Sequence, residues 1–386
     1  MPGIYLHIPF CQSRCSYCDF YSDTNELQIN EFVESLCAEA KMRKEEIGEE
    51  IKTVYFGGGT PSRLQQTHFE RIFDTLFDEF SITSDAEITL EANPDDLSPD
   101  YIRMLRALPF NRLSIGIQSF DDLELSMLNR RHSTQQAIEA VKNAQQIGFN
   151  NISIDLMYGI PAQTLETWQK TLQQAIDLGV QHVSAYHLIY EEDTPIYSLL
   201  QAGKINPVSE HVSNEMFAML INVLAVSGFQ HYEISNFALP DYFSQHNSSY
   251  WRGSTYIGLG AAAHSFDGNN RSWNISSLTQ YIEAMKSKTS NRTTETLSFV
   301  EKYNEFILTG LRTMWGVNLQ KLRKVFGEQF YAFCMKNARK YIDTNLLEIE
   351  NDTLTLSREG VFISDGIMSD LMWVDKLTPK IPLSSH

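Results

Sequence analysis

The feature that most constrains this chain is a repeated alternation of short β-rich runs with amphipathic helical stretches. The runs are residues 4–8, 53–56, 87–91, 112–118, 151–158 and 182–188. Between them, residues 69–80 give the clearest helical stripe: Phe69, Ile72, Phe73, Leu76, Phe77 and Phe80 recur at helical spacing. Residues 134–147 and 164–178 read the same way, with Ser133-Thr134 and Gln163-Thr164 as N-caps. Strand, helix, strand at this regularity predicts right-handed βαβ units on a parallel sheet. About six units fit, so the predicted fold is α/β, a partial (β/α)6 barrel of the TIM type. In such a barrel the loops at the C-terminal strand ends form the working face.

Past residue 208 the rhythm changes. A long helix is predicted over 208–227, then a loop-rich aromatic region from Tyr232 to Phe266, then a polar linker, KSKTSNRTTETLS, at 286–298. From Val300 on, helical patterns precede two β runs, 346–349 and 353–356, joined by an Asn351-Asp352 turn. This predicts a small helical, winged-helix-like module. The domain reading is a barrel core with its aromatic extension at 1–285, a linker at 286–299 and a C-terminal domain at 300–386.

Hydrophobic residues make up 42% of the chain, with 22 Phe and 17 Tyr, enough for a sizeable core and too many for a disordered protein. No window approaches the ~20 apolar residues of a membrane helix. MPGIYLHIPF lacks a basic n-region, so a cytoplasmic protein is expected. The net charge is -17, and residues 300–386 carry 11 basic and 11 acidic side chains, so the acidity lies in the main body. That argues against nucleic acid as a partner, and against a DNA-binding regulator built on the C-terminal module. The basic group of KLRK at 321–324 with Lys336, Arg339 and Lys340 reads as a solvated helix face.

Five cysteines do not make a disulfide framework. Cys37 and Cys334 stand alone in helical patterns and read as small buried hydrophobes. Cys11, Cys15 and Cys18 crowd one loop directly after the first β run, where three thiolates can converge on an inorganic centre. A structural zinc site takes four protein ligands. A redox dithiol needs two and leaves the third unexplained. An iron–sulfur cubane held by three cysteines keeps one iron open to an outside ligand.

The phrase YLHIPFCQSRCSYCDF, with its CxxxCxxC spacing, resembles the radical S-adenosylmethionine (SAM) superfamily. Its flank Tyr5-x-His7-x-Pro9-Phe10 resembles the oxygen-independent coproporphyrinogen III oxidase-like branch. The resemblance implies a [4Fe–4S] cluster on Cys11, Cys15 and Cys18 with SAM as the outside ligand, and it runs densely over residues 4–265. Gly57-Gly58-Gly59-Thr60-Pro61 then matches the loop beside the methionine end of SAM. Glu91, Gln118, Arg130 and Asp155, polar groups at or just past strand ends, align with further SAM contacts. So do Tyr5, Tyr17, Asp19, Gly58, Gly59 and Thr60, with Ile189 at an adenine-contacting position. Arg130 suits the SAM carboxylate and Asp155 a ribose hydroxyl.

His246-Asn247-x-x-Tyr250-Trp251 resembles a signature of the heme-chaperone branch, which implies heme as a further ligand with His246 on the iron. Three departures from the oxidase pattern point the same way. Phe20 stands where the oxidase has a further cysteine, Cys11 lies near the start of the chain, and His264 replaces an apolar residue. The function this implies is a heme chaperone that binds heme and a SAM-coordinated cluster. It would deliver heme to acceptor proteins, membrane-bound respiratory proteins among them, and lack oxidase activity. The alternative is the oxidase itself, which decarboxylates coproporphyrinogen III to protoporphyrinogen IX.

Overall fold

A computed structural model describes residues 2–374. All six β runs are strands: β1 (Gly3–Ile8), β2 (Ile51–Gly58), β3 (Ile82–Ala92), β4 (Arg112–Gln118), β5 (Ile152–Tyr158) and β6 (His182–His187). They pair in parallel in sequence order, as the βαβ reading requires. The intervening helices are α1 (Ile29–Arg43), α2 (Gln66–Glu79), α3 (Pro99–Ala107), α4 (Asp122–Met127), α5 (Thr134–Ile147) and α6 (Leu165–Asp177).

The stripe on α2 packs as its spacing dictates. Phe69 and Phe73 meet Phe56 of β2 and Phe110 at ring separations of 5.1–5.9 Å, while Phe77 stays 47% exposed. Ser133 caps α5 through a box with Gln136, and Gly148, at φ +107°, ends it. Thr164 caps α6. Gln163 serves elsewhere: its side-chain oxygen accepts from the Gly159 amide at 2.8 Å. Cys37 on α1 is buried, as expected.

The sheet is larger than the sequence pattern suggests. It has twelve strands, because the aromatic region read as loop and the segment that follows it supply both flanks. After α7 (Pro195–Gln201) and α8 (Glu210–Val226), β7 (Gln230–Glu233) and β8 (Asn236–Ala238) form a hairpin that adds antiparallel to β6. The chain then crosses through α9 (Gln245–Trp251) to β9 (Tyr256–Leu259), which lies parallel to β1. Beyond it follow β10 (His264–Phe266), β11 (Asn270–Asn274), α10 (Leu278–Lys286) and β12 (Arg292–Thr296). β12 occupies the segment read as a linker and pairs with β11 over five residues. Its side chains are half-buried or exposed, so main-chain hydrogen bonds hold it and its polar composition conceals it.

One buried pair ties this flank to the barrel. Glu39 and Arg43 on α1 are 2% and 6% exposed and meet at 2.9 Å. Arg43 also donates to the Gly258 carbonyl at 2.6 Å and to Ser265 Oγ at 2.9 Å. Glu39 accepts from the Gly260 amide at 2.9 Å, Asn274 Nδ2 at 2.8 Å and the Tyr281 hydroxyl at 2.7 Å. The pair therefore joins α1, β9, β10, β11 and α10 through satisfied hydrogen bonds, the condition under which a buried ion pair is tolerable.

The C-terminal part packs around a core of its own, including Tyr303, Ile307, Phe326, Phe330 and the buried Cys334. It comprises α11 (Phe299–Leu311), β13 (Val317–Asn318), α12 (Leu319–Ile342, broken by a kink at Gly327, φ +84°), β14 (Leu347–Glu350), β15 (Thr353–Leu356) and α13 (Ser364–Leu371). The expected hairpin is β14–β15. Asn351 and Asp352 take φ of +49° and +60°, as a two-residue primed turn demands. The two-residue β13 adds a third strand beside β15. Residues 375–386 of the 300–386 segment lie outside the described residues.

Removing one member of the α1 pair leaves its partner buried and uncompensated. Glu39→Ala should lower the free energy of urea unfolding by about 3–5 kcal/mol. A loss below ~1 kcal/mol, the scale of a surface pair, would show that the flank is held some other way.

Candidate functional site

The C-terminal ends of β1–β6 enclose a cavity of about 460 Å3. Six strands of one sense put all these ends on one side, so residues distant in sequence meet there. Cys11, Cys15, Cys18, Tyr17, Asp19, Gly58, Gly59, Thr60, Glu91, Gln118, Arg130, Asp155 and Ile189 all line it. Of the residues expected to hold the cluster, SAM or heme, Tyr5 and His246 do not.

The cysteine loop is pinned at its base and its side. The Cys11 amide donates to the Asp23 carbonyl at 2.9 Å, and the Asp23 amide to Pro9 at 2.7 Å. Arg130 Nη1 lies 3.2 Å from Cys15 Sγ, and Nη2 donates to Asn93 Oδ1 at 2.6 Å. Burial raises the Cys11 thiol and pushes Cys18 up to about 11. A metal centre reverses that preference, because a coordinating thiol is deprotonated. Among the described residues, no three His, Cys, Asp or Glu side chains close on one point suited to a single ion.

Glycine is required beside this loop. A Cβ on Gly58, whose φ is +110°, would come within 2.8 Å of the His7 ring, and one on Gly59 within 2.8 Å of the Pro9 carbonyl. The β1–β2 register sets Ile8 opposite Gly58, so the cysteine and glycine loops emerge side by side.

Across the cavity, Glu91 accepts from the Tyr55 hydroxyl at 2.7 Å and the Gly58 amide at 3.3 Å. Burial pushes its carboxyl up to about 7 against the Tyr55 hydrogen bond, and nearby Asp155 adds to the rise. Burial likewise raises Asp155, which accepts from Ser114 Oγ at 3.4 Å. Gln118 sits at φ +73°, where the β4–β5 register shifts. A non-glycine residue held in that region at a cavity wall is stored strain of the kind found at binding sites. Arg130 Nε is buried with no hydrogen-bond partner, a donor left for something else.

The sequence reading missed Asn93, which bridges Arg130 and Thr60. It also missed Arg112, 1% exposed, with Nε and Nη1 unpartnered. A signal for Arg112 existed: Ser114, Gly116 and Gln118 line the cavity, and a period of two carries that face back to position 112.

The structure corrects His246. It is 1% exposed, with Nδ1 bonded to Thr53 Oγ1 at 2.8 Å and Nε2 to the Tyr250 hydroxyl at 2.7 Å. Its ring stacks on Tyr55 at 4.9 Å and Tyr5 at 6.4 Å. Both nitrogens are spent on internal partners, so it is a packed core histidine with no face for iron. Tyr5, its hydroxyl 3.1 Å from His7 Nδ1, lines a different cavity with Tyr250, Tyr256 and His264.

A partial parallel barrel with three cysteines on the loop after its first strand defines a radical SAM protein. Residues 5–175 match the Radical SAM superfamily and residues 297–363 the HemN C-terminal domain. The chain is 32% identical to the heme chaperone HemW of Bacillus subtilis (strain 168), over 95% of this chain and 98% of that one. It is also 32% identical to the heme chaperone HemW of Lactococcus lactis subsp. lactis (strain IL1403), over 96% and 97%. The chain belongs to the HemW family of the radical SAM superfamily. Among solved structures, coproporphyrinogen III oxidase (HemN) from Escherichia coli superimposes with a TM-score of 0.83 over 96% of this chain and 90% of that one. At 23% identity this is a likeness of fold.

Burial pushes His246 down to about 3, with Arg112 adding to the fall. A base lowered in the folded state contributes its full stability above the ~6.5 of the unfolded chain and loses it as the pH falls toward the folded value. The His246 ring signals in 15N NMR should therefore stay fixed between pH ~8 and ~5. A midpoint near 6.5 would mean the ring is open to solvent.

Proposed function

We propose that this protein is a heme chaperone that carries a SAM-coordinated [4Fe–4S] cluster, binds heme and passes it to acceptor proteins. The observation that carries the cluster half is the gathering of three thiols, a close-packed glycine loop and an unpartnered arginine donor in one cavity. The chaperone half is supported by the full-length likeness to the HemW proteins. Membrane-bound respiratory proteins are among the acceptors we have in view. No helix among the described residues is long and apolar enough to cross a membrane.

The residues present fit both groups. Cys11, Cys15 and Cys18 would each hold a different iron of the cluster. When bound, the cluster supplies one open iron that can hold SAM by its amino and carboxylate groups. The chain's part is orientation. Arg130 offers Nε to the carboxylate, Gly58 and Gly59 let their loop pack against His7 and Pro9 beside the cysteine loop, and Asp155 accepts from a ribose hydroxyl. Asn93 and the Gly116 carbonyl hold the Arg130 fork in place. Ile189, 54% exposed at the rim, gives the adenine an apolar face.

The oxidase shares the fold, and a shared fold does not carry an activity. Phe20, where the oxidase pattern has a further cysteine, is 66% exposed at the edge of the cavity. It offers contact area and no ligand.

Replacing Cys11, Cys15 and Cys18 together with Ala should abolish the brown chromophore after anaerobic reconstitution. Cys37→Ala and Cys334→Ala should keep it, and a full complement of iron and sulfide in the triple variant would sink the assignment. Arg130→Ala should weaken SAM binding to the cluster-loaded protein by about 1–3 kcal/mol. Titration with heme should give a bound spectrum, and assay with coproporphyrinogen III should give no turnover. Robust turnover would instead make the chain an oxidase.

A further inference from the structure

With His246 in the core, the chaperone reading lacks an iron ligand. A second cavity, of about 730 Å3, lies beside the cluster loop. Arg14, Asp19, Phe20 and Ser22 line both it and the cluster cavity, so the loop is a shared wall. The rest of its lining is strongly aromatic and includes Tyr5, Tyr250 and Tyr256.

Two imidazoles reach this cavity. His7 is 6% exposed, and its nitrogens are taken by the Tyr5 hydroxyl at 3.1 Å and the Tyr21 carbonyl at 2.9 Å. His264, the first residue of β10, is exposed, and neither ring nitrogen has a hydrogen-bond partner among the described residues. Its ring is not loose, because it stacks on Trp273 of β11 at 5.7 Å and 21°. The strand beneath it is fixed too. Ser265, facing the other way, accepts from Arg43 and from the Gly258 amide at 2.9 Å each. A Cβ on Gly258 would lie 2.0 Å from the His264 carbonyl, so only glycine lets β10 fold this closely over β9.

Heme needs a nitrogen for its iron, flat apolar faces against its ring and a cation for its propionates. The Arg14 guanidinium is exposed and forms no ion pair among the described residues. We propose that this cavity is the heme site, with His264 as the iron ligand and Arg14 as the counter-charge of a propionate. The inference rests on the chaperone reading and adds the location and ligand. It sets heme against the loop that carries the three cysteines, with Phe20 between the two cavities.

The test is an anaerobic titration of the full-length, cluster-loaded protein with hemin, followed through the Soret band. Even second-shell partners of a metal ligand are worth roughly 10–100-fold in affinity, so His264→Ala should cost at least about tenfold and shift the band. Added imidazole should restore the wild-type spectrum in His264→Ala, which a merely structural role would not allow. Arg14→Gln should weaken binding and leave the spectrum in place. Retained SAM binding in both variants would show that the barrel is intact. A wild-type spectrum and affinity in His264→Ala would overturn this site while leaving the chaperone reading standing. If the wild-type protein bound no hemin at all, the chaperone reading and the site would both fall.

Discussion

The working face exists because six strands run in one direction. Parallel pairing sends every C-terminal strand end to the same edge, so loops separated by helices in the sequence become neighbours in space. Cys11 follows β1, Gly59 follows β2, Glu91 is the next-to-last residue of β3 and Gln118 ends β4, and all line one cavity. Register adds the finer placement. With His7 opposite Gly57 and Ile8 opposite Gly58, the thiols and the glycines rise together. Polar groups that would be costly inside a barrel gather where a ligand can satisfy them, and Arg130 Nε still lacks a partner.

The flank beyond β1 depends on a different device. Its strands are short, and β9 and α10 join the main core through Ile257, Leu259, Leu278 and Ile282. Glu39 and Arg43 add to that core by spreading their hydrogen bonds across β9, β10, β11 and α10. That arrangement orients Ser265 inward and so His264 outward, since neighbouring residues of a strand face opposite ways. The second cavity therefore inherits its geometry from an ion pair on the far side of β10.

Much of the barrel was legible because its signals are local. The α2 stripe, the Ser133 box and the six strand runs each lie within about a dozen residues of sequence. Ranges were shorter than the strands themselves at β2 and β3, where polar residues such as Lys52, Ser84 and Asp85 interrupt the apolar run. The flanking strands β7–β12 were not legible. At three to five residues they are too short for alternation to register, and partners distant in sequence define them. Arg112 escaped for a related reason: a charged residue at the start of a strand looks exposed until closure of the barrel buries it.

The sequence by itself determined the cysteine loop, the glycine loop and the order of βαβ units, because spacing and periodicity are properties of neighbouring residues. It also marked many of the residues that line the cluster cavity, and passed over others such as Asn93, Ser114 and Gly116. Only the tertiary structure separates two histidines by their surroundings. His246 sits in the more suggestive motif, yet Thr53 from β2 and the stacked rings of Tyr5 and Tyr55 enclose it. His264 sits in a run of small residues, and the fold leaves its ring nitrogens on a cavity wall with no hydrogen-bond partner among the described residues. Whether an imidazole can bind iron depends on which hydrogen bonds it has already made. One partner of His246, Thr53, comes from β2, and the other, Tyr250, from the next turn of α9, so only the assembled fold brings both to the ring.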